Sequence, residues 1–416
     1  MSATDRDQGA VAPQAAALDA MDALADFRTR FIGHDDPTIP AYLDGNSLGR
    51  PTTAARDRWS AFVEEQWGGR LIRGWDEGWF DAPLRLGDRI AALTLGAAPG
   101  QTIVGDSTTV SLYKCVRSAL ALRPDRDEIV VDRGNFPTDR YIAEAVAAET
   151  GAVLRWIDAP LGSGVSTDDV ADVIGPRTAV VLLSHVAFRS GFIAEVPQIT
   201  RSVHEAGGLV VWDLCHSVGV LPIELDAWNV DFAAGCTYKY LNGGPGSPAF
   251  LYVNNEHISQ AHQPIQGWMG VRDSFAMGPQ YEPAETIRRF VSGTPPISAM
   301  IGMDSMLDLI EEAGIPAIRE KSVALTEFAV ALYDERLAQL GVELSSPRSA
   351  DVRGGHLTID HPAFGELIGE LWQEGVIPDF RPPSGIRLGL SPLSTSFAEV
   401  EIAIDRIAAR LRDRLG

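Results

Sequence analysis

Two neighbouring stretches of this chain, LVVWDLCHSVG (209–219) and FAAGCTYKYLNGGPG (232–246), decide its fold and suggest its chemistry. The first is an apolar strand that ends at Asp213, and ligand sites gather at such strand ends in open parallel sheets. The second places Lys239 beside Tyr238 in a turn rich in glycine, where backbone can approach a ligand closely. A loop-capping acid and a surface lysine would explain either residue alone, so the interpretation depends on the two together.

An acid and a lysine in this arrangement suit pyridoxal 5'-phosphate (PLP). The carboxylate keeps the pyridine nitrogen protonated, so that the ring accepts electrons, and the lysine binds the aldehyde as an imine. Only Lys114, Lys239 and Lys321 are lysines, and arginine cannot take this role because it stays protonated. The sequence therefore predicts a PLP site built on Lys239 and Asp213.

Strands and helices alternate on both sides of these stretches. From about residue 100, β-branched runs such as QTIVGD, EIVVDR, VLRWID, AVVLLSHV and PAFLYV are separated by helical segments such as PQITRSVHEAGG. This alternation predicts a mostly parallel sheet buried on both faces. We expect an α/β fold with three parts: an N-terminal segment (1–50) that packs on the small domain, a PLP-binding large domain (51–295) and a smaller α+β C-terminal domain (296–416).

Local signals mark the ends of several helices. TTAARDRWSAFVEEQW (52–67) is typical of an amphipathic helix, and the Ala-rich first two dozen residues favour a frayed end or a loose helix. Pro137 and Gly151 stand at the expected start and end of another helix. Ser396 and Glu399 form a capping-box pattern before the last helix.

Hydroxyl residues open the helix that follows QTIVGD. In GDSTTVSLYK (105–114), Thr108 and Thr109 lie where free N–H groups and the helix dipole attract an anion such as a phosphate. Ordinary N-capping explains the same residues without a ligand. In NFPTD (135–139), Phe136 could stack on a ring and Asp139 could accept a hydrogen bond, although a helix start explains both. Ser184 ends another strand at the same sheet edge.

Composition excludes some partners and compartments. The net charge of -21 argues against nucleic acid and anionic membrane surfaces, which require clustered cations. No apolar run is long enough to span a membrane, and the N-terminus lacks the pattern of a signal peptide. The three cysteines, without C-x-x-C spacing, are typical of small core residues in a reducing compartment. We therefore expect a cytoplasmic protein, and no metal, because no metal-binding signature is present.

Three other classes of protein compete with this interpretation. GNSLG (45–49) fits the G-x-S-x-G nucleophile elbow of hydrolases, but Ser47 follows only one candidate strand, whereas an elbow normally comes after several. Another PLP reaction is the nearest rival: an aminotransferase stays open, and a cysteine desulfurase would need a nucleophilic cysteine after Lys239, which is absent. An inactive binding module is disfavoured because every position that the cofactor needs is filled.

Six motifs together resemble the kynureninase family: YLDGNSLG (42–49), NFPTD, SHV, WDLCHSVG, GCTYKYLNGGPGS and RLGLSPL (387–393). They occur in the family's order and cover residues 40–400, and GCTYKYLNGGPG and YLDGNSLG are the most specific. The resemblance implies the aspartate-aminotransferase fold group, that is, a PLP-dependent transferase of fold type I. It also implies a homodimer with active sites at the subunit interface.

The resemblance carries roles to particular residues. Lys239 is implied to hold the cofactor and move protons, Asp213 to pair with the pyridine nitrogen, and Tyr238 to act as an acid–base group. Arg387 resembles the arginine that grips the substrate α-carboxylate, a bidentate task, and Trp75 in IRGWDEGW matches an aromatic residue near the substrate. The residues implied to hold the cofactor are Thr108, Thr109, Phe136, Asp139, Ser184, Asp213, His216, Tyr238 and Lys239, with Trp268 and Thr294 from the partner subunit.

The reaction implied is hydrolysis of L-kynurenine to anthranilate and L-alanine in tryptophan catabolism, with a link to NAD biosynthesis. Two positions depart from the family. Phe188-Arg189 replaces a frequent Tyr-Lys or similar pair, and this change is expected to matter little. Thr294 stands where some members have Asn, a residue connected with the choice between kynurenine and 3-hydroxykynurenine, and it favours the unmodified substrate.

Overall fold

The β-branched runs form two sheets in the computed structural model, which describes residues 14–415. In chain order, the strands are β1 (Ala41–Leu43), β2 (Thr102–Val104), β3 (Glu128–Asp132), β4 (Val153–Ile157), β5 (Thr178–Ser184), β6 (Leu209–Asp213), β7 (Phe232–Gly235), β8 (Phe250–Val253), β9 (Glu343–Leu344), β10 (His356–Asp360), β11 (Val376–Arg381) and β12 (Gly385–Gly389). The α-helices are α1 (Ala15–Met21), α2 (Thr53–Ala61), α3 (Ala82–Ile90), α4 (Thr108–Ala121), α5 (Pro137–Thr150), α6 (Thr167–Ala171), α7 (Val196–Glu205), α8 (Asn255–Ile258), α9 (Ile297–Ala313), α10 (Ile315–Arg336), α11 (Phe364–Gln373) and α12 (Phe397–Leu415).

The larger sheet has seven strands in the order β2-β8-β7-β6-β5-β3-β4. All neighbours from β7 to β4 are parallel, and β8 alone runs against the rest. Alternate side chains enter the cores on opposite faces, for example Val180 on one face and Val181 on the other. The predicted α/β fold with a mostly parallel sheet buried on both faces is therefore confirmed.

Parallel strands give this sheet one edge at which β3, β5 and β6 all end. Helix α4 begins just beyond β2, and α5 begins just beyond β3. As predicted, Pro137 stands in the first turn of α5, and Gly151 ends it with a left-handed φ of 78°. The sheet edge and the starts of these two helices position the candidate site.

The smaller sheet has the order β1-β11-β12-β10-β9 and its own apolar core. Strand β1 pairs in parallel with β11, and the other neighbours are antiparallel. The last helix, α12, starts with the predicted capping box, in which the Glu399 N–H donates to Ser396 Oγ and the Ser396 N–H donates to Glu399 Oε2. The proposed domain limits at residues 50 and 295 stay a prediction.

One strand was not predicted, and one helix prediction needs correction. The segment 232–235 is strand β7, although Phe-Ala-Ala-Gly has little of the β-branched character that marks a strand. The helix expected over 52–67 ends as α2 at Ala61 and continues as a π-helix (Phe62–Gly68), and Phe62 is buried where the turns widen. Of the Ala-rich N-terminus, α1 is helical, and residues 1–13 lie outside the described residues. Across 14–415, no helix combines the length and the apolar character needed to cross a bilayer.

Candidate active site

A cavity of about 550 Å³ opens at the edge where the parallel strands end. Its wall combines the loop before α4 with the first turn of α4, the start of α5, the loop after β6 and the segment that follows β7. The residues that line it are Asp106, Ser107, Thr108, Thr109, Phe136, Thr138, Asp139, Asp213, Cys215, His216, Tyr238, Lys239, Gly246, Ser247, Pro248, Thr294 and Pro296. Most of the sequence-predicted cofactor residues therefore share one cavity.

Lys239 is the lysine that faces this cavity. Lys114 Nζ lies 2.6 Å from Asp106 Oδ2, and Lys321 Nζ lies 2.6 Å from a carboxylate oxygen of Asp22, so both of these amines are neutralised by acids. Among the described residues, Lys239 forms no such ion pair, and its Nζ lies 3.2 Å from His216 Nε2. Burial and the nearby Lys239 charge lower the pKa of His216 well below its usual value. The ring is therefore neutral beside the amine.

Two carboxylates share a hydrogen-bond network beside Lys239. The Cys215 N–H donates to Asp213 Oδ1 (2.7 Å), and Ser184 Oγ lies 3.4 Å from Asp213 Oδ2. The Asn135 side chain donates to Asp139 Oδ2 (2.9 Å) and accepts from Ser184 Oγ (2.7 Å). Burial, reinforced by the Asp213 charge, raises the pKa of Asp139 well above its usual value. This shift favours a protonated Asp139 beside Asp213.

Residues 107–109, which we call the anion cradle, form another part of the cavity wall. Ser107 is the N-cap of α4, and its side chain accepts from the Val110 N–H. Thr108 and Thr109 occupy the first turn and line the cavity. The positive end of the helix dipole and these hydroxyls suit an anionic group.

Aromatic side chains flank the amine. The Phe136 ring centroid lies 5.9 Å from Lys239 Nζ, and the Phe188 ring packs edge-on against Phe136 with 5.4 Å between the centroids. Tyr238 is half-buried in the wall, and burial, with Cys236 nearby, raises the pKa of its phenol. The phenol therefore keeps its proton at neutral pH.

Arg387 lies outside the cavity wall and is held by a fixed set of partners. It is buried on β12, where NH1 donates to the Phe188 carbonyl oxygen (2.8 Å) and NH2 donates to Ser47 Oγ (2.6 Å). NH2 also lies 2.8 Å from Asp379 Oδ2. Burial, together with the Arg381 charge, lowers the pKa of Arg387 to about 10, which keeps the guanidinium charged near neutral pH.

Three other residues that the resemblance assigned to the substrate or to the partner's cofactor are placed as follows. Trp75 does not line the cavity and packs edge-on against Trp79, with 5.7 Å between the ring centroids. Trp268 also lies away from it, with 41% of its surface exposed. Thr294 lines the cavity of its own chain, whereas the sequence resemblance assigned it to the partner's site.

Asn135 and Ser247 contribute to the site although neither was a predicted site residue. Asn135 is buried and lies within the motif NFPTD, and its place one residue before Phe136 was the signal that the sequence offered. Ser247 follows the glycine-rich turn, and its Oγ lies 2.8 Å from Thr237 Oγ1. The contact between Asn135 and Ser184 joins segments at the ends of two strands, so no spacing rule for side chains predicts it.

The nucleophile-elbow interpretation of GNSLG does not fit the structure. Ser47 follows β1, a three-residue strand of the smaller sheet, rather than a strand of the large parallel sheet. Within the part of the chain that the structure describes, its hydroxyl is hydrogen-bonded to Arg387 and not to a histidine. Without a histidine beside it, the serine lacks the base that activates the serine of a nucleophile elbow.

The chemistry of the cavity fits PLP. An amine, a carboxylate beside it, an aromatic ring and an anion-binding helix start match the aldehyde, pyridine nitrogen, ring and phosphate. A family model of class-V aminotransferases matches residues 88–362. Solved structures of the same fold include a cysteine desulfurase from Thermococcus onnurineus NA1 (TM-score 0.77, 19% identity, 93% of this chain and 98% of that one). Fold and site together define a PLP-dependent enzyme of the class-V aminotransferase type, and its cofactor is PLP.

Closer relatives define the family within this class. The kynureninase of Pseudomonas fluorescens is 40% identical over 405 residues, which cover 96% of this chain and 94% of the relative. The kynureninase of Burkholderia pseudomallei (strain 1106a) is 41% identical over 404 residues, 95% and 94% of the two chains. A family model described as the kynureninase C-terminal domain matches residues 318–407. The chain belongs to the kynureninase family, which confirms the resemblance found in its motifs.

Proposed function

We propose that this chain hydrolyses L-kynurenine to anthranilate and L-alanine, with PLP held by Lys239. The observation that carries the proposal is the position of Lys239 in the cavity shared by Asp213 and the anion cradle, where within residues 14–415 it has no acidic partner. When bound, PLP supplies an electron sink for the pair left on the substrate α-carbon.

Lys239 moves the proton that this chemistry requires. Once the substrate amine replaces it, its free Nζ takes the α-proton and later returns a proton. His216 Nε2 lies 3.2 Å away and is neutral, so it adds no second positive charge beside the amine. Asp213 would pair with the pyridine nitrogen of bound PLP, and its Oδ1 is fixed by the Cys215 N–H.

Tyr238 is the proposed acid for the last proton transfers. Water adds to the γ-carbonyl of the substrate, the β–γ carbon bond breaks, and the β-carbon takes a proton to become the methyl group of alanine. The Tyr238 phenol lines the cavity and keeps its proton because burial raises its pKa. Arg387 is proposed to bind the substrate α-carboxylate, since its guanidinium is charged and fixed by Ser47 and Asp379.

The proposed working form is a homodimer with an active site at each subunit interface. Support comes from apolar side chains that the single chain leaves exposed on one stretch and that a partner would cover. These are Trp59, Trp67, Leu71 and Ile72, the last with 77% of its surface exposed. In that dimer, Trp268 would reach the partner's cofactor, Thr294 would act at the cavity of its own chain, and Trp75 would approach substrate. We also propose a cytoplasmic location, supported by three free cysteines, and a role in tryptophan catabolism that also links to NAD biosynthesis.

Anthranilate fluorescence tests the function directly. Purified protein with PLP is expected to release anthranilate from L-kynurenine. It should cleave L-kynurenine more efficiently than 3-hydroxykynurenine, because Thr294 stands where some family members have asparagine. Conversion of PLP to its amine form without anthranilate would instead indicate an aminotransferase. Lys239→Ala should lose both the visible absorbance of lysine-bound PLP and turnover, whereas Lys321→Met, in a buried pair outside the cavity, should keep both. A wild-type protein that shows the absorbance and forms no product contradicts the proposed substrate.

A further inference from the structure

Lys114 is a buried cation directly behind the anion cradle. It lies two turns into α4, with 1% of its surface exposed. Its Nζ donates to Asp106 Oδ2 (2.6 Å) and to the Phe290 carbonyl oxygen (2.5 Å). Burial lowers its pKa, and Asp106 opposes that shift. Burying an amine costs desolvation free energy that an apolar side chain of similar size would avoid. We therefore expect this lysine to have a role that an apolar side chain could not fill.

Asp106 is an unusual residue for the place that it occupies. It forms part of the cavity wall at the end meant for an anion, and its side chain is 32% exposed. Its left-handed φ of 51° and the hydrogen bond from the Ala249 N–H to its carbonyl oxygen fix its backbone. A carboxylate next to a phosphate repels it unless a cation neutralises the carboxylate.

The Phe290 contact connects the cradle to a second part of the wall. Two residues after Phe290 is Ser292, whose Oγ lies 3.4 Å from Asp106 Oδ2, and two residues further is Thr294, which lines the cavity. Lys114 Nζ therefore links Asp106, next to the cradle, to the start of the 290–294 segment. An amine with two fixed acceptors cannot swing away from Asp106 without leaving both unpaired.

We propose that Lys114 is a positioning residue for the cofactor phosphate: it neutralises Asp106 and so makes the anion cradle able to accept a phosphate. The inference rests on the proposed PLP site and assigns to this lysine a role separate from that of Lys239. Lys114 does not touch the cavity itself and acts through Asp106.

A double-mutant cycle of charge-neutralising substitutions tests the inference, with the PLP dissociation constant measured by absorbance titration of PLP-free protein. Lys114→Met leaves the Asp106 charge facing the phosphate and should weaken PLP binding by about tenfold or more. Asp106→Asn removes the charge and should bind PLP within about threefold of wild type. The double variant should recover most of the loss caused by Lys114→Met. A purely structural lysine predicts no recovery.

The chain offers a matched control in Lys321 and Asp22, a second buried pair with the same 2.6 Å separation outside the cavity. Lys321→Met should lower the temperature of thermal unfolding and leave the PLP dissociation constant unchanged. If Lys114→Met does not fold, Asp106→Asn and the double variant decide the question. Wild-type affinity in Lys114→Met, a double variant as weak as Lys114→Met, or a tenfold loss in Asp106→Asn overturns the inference. Failure of the wild type to bind PLP would reject the proposed function instead.

Discussion

Replacing Asn135 with alanine should damage both the stability and the activity of the protein. The side chain makes three hydrogen bonds: to Asp139 Oδ2 (2.9 Å), from Ser184 Oγ (2.7 Å) and from the Phe136 N–H (2.7 Å). At about 1 kcal/mol for each bond, the free energy of unfolding should fall by about 3 kcal/mol. With an unfolding entropy of about 2.1 cal/mol/K per residue, this loss lowers Tm by about 3 °C.

The same variant should also reduce turnover, because Ser184 and Asp139 lose the amide that fixes them beside Asp213. We expect kcat to fall by roughly tenfold to a hundredfold, the order of effect produced by a misplaced group about 1 Å from its working position. Differential scanning calorimetry of PLP-free protein gives Tm, and anthranilate release by PLP-loaded protein gives kcat.

Asn254→Ala is the matched control for this experiment. Asn254 accepts from the Glu256 N–H (3.1 Å) and donates to the Val230 carbonyl oxygen (3.2 Å), and it does not line the cavity. The control should lose about 1 to 2 kcal/mol of stability and keep its kcat. An Asn135→Ala protein with wild-type Tm and wild-type kcat would refute the reasoning, since it would show that the network neither stabilises the fold nor orders the site.

Two further predictions concern charge. The hydrogen bond to Asp231 raises the pKa of His204 above its usual value of 6.5, so the stabilisation is complete below that value and is lost as the pH rises through the raised pKa. The free-energy difference between wild type and His204→Gln, from urea midpoints, should therefore shrink from about pH 5.5 to about pH 8.5; a difference that grows would contradict this assignment. Arg387→Lys keeps the charge but loses the guanidinium fork, so KM for kynurenine should rise by about tenfold or more with a smaller change in kcat. An unchanged KM in steady-state assays would remove Arg387 from substrate binding.

The large sheet could be predicted because most of its strands have a clear sequence pattern. Runs such as that of β5 and β6 are continuous and β-branched, as burial on both faces requires. Strand β7 escaped prediction because Ala233, Ala234 and Gly235 lack that signature and owe their conformation to hydrogen bonds with β6 and β8. The reversed direction of β8 likewise depends on pairing rather than on its own residues.

The chemical core of the site was predictable for a different reason. Neither Lys239 nor Asp213 is informative alone, but an acid that ends a strand and a lysine in a glycine-rich turn together indicate PLP chemistry. Asn135, by contrast, acts by joining Asp139 to Ser184 across two strand ends, a contact that only the packed sheet creates. Lys114 and Asp106 are only eight residues apart in the sequence, yet the role of the pair depends on which of the two residues faces the cavity.

Strand β1 imposes an order on the assembly of the protein. Ala41 pairs with Val376, which lies nearly a whole chain length away, and the residues just after β1 touch both Arg387 and the peptide that carries Lys239: Ser47 binds Arg387, and the Gly49 N–H donates to the Tyr238 carbonyl oxygen. A ribosome therefore releases β1 long before its partner strand exists. The large sheet can form first, while the N-terminal strand waits unpaired for the end of translation. The segment that follows β1, which is made early, thus connects the arginine proposed for the substrate with the lysine proposed for the cofactor. This connection can form only after β11 and β12, which are made late, have left the ribosome.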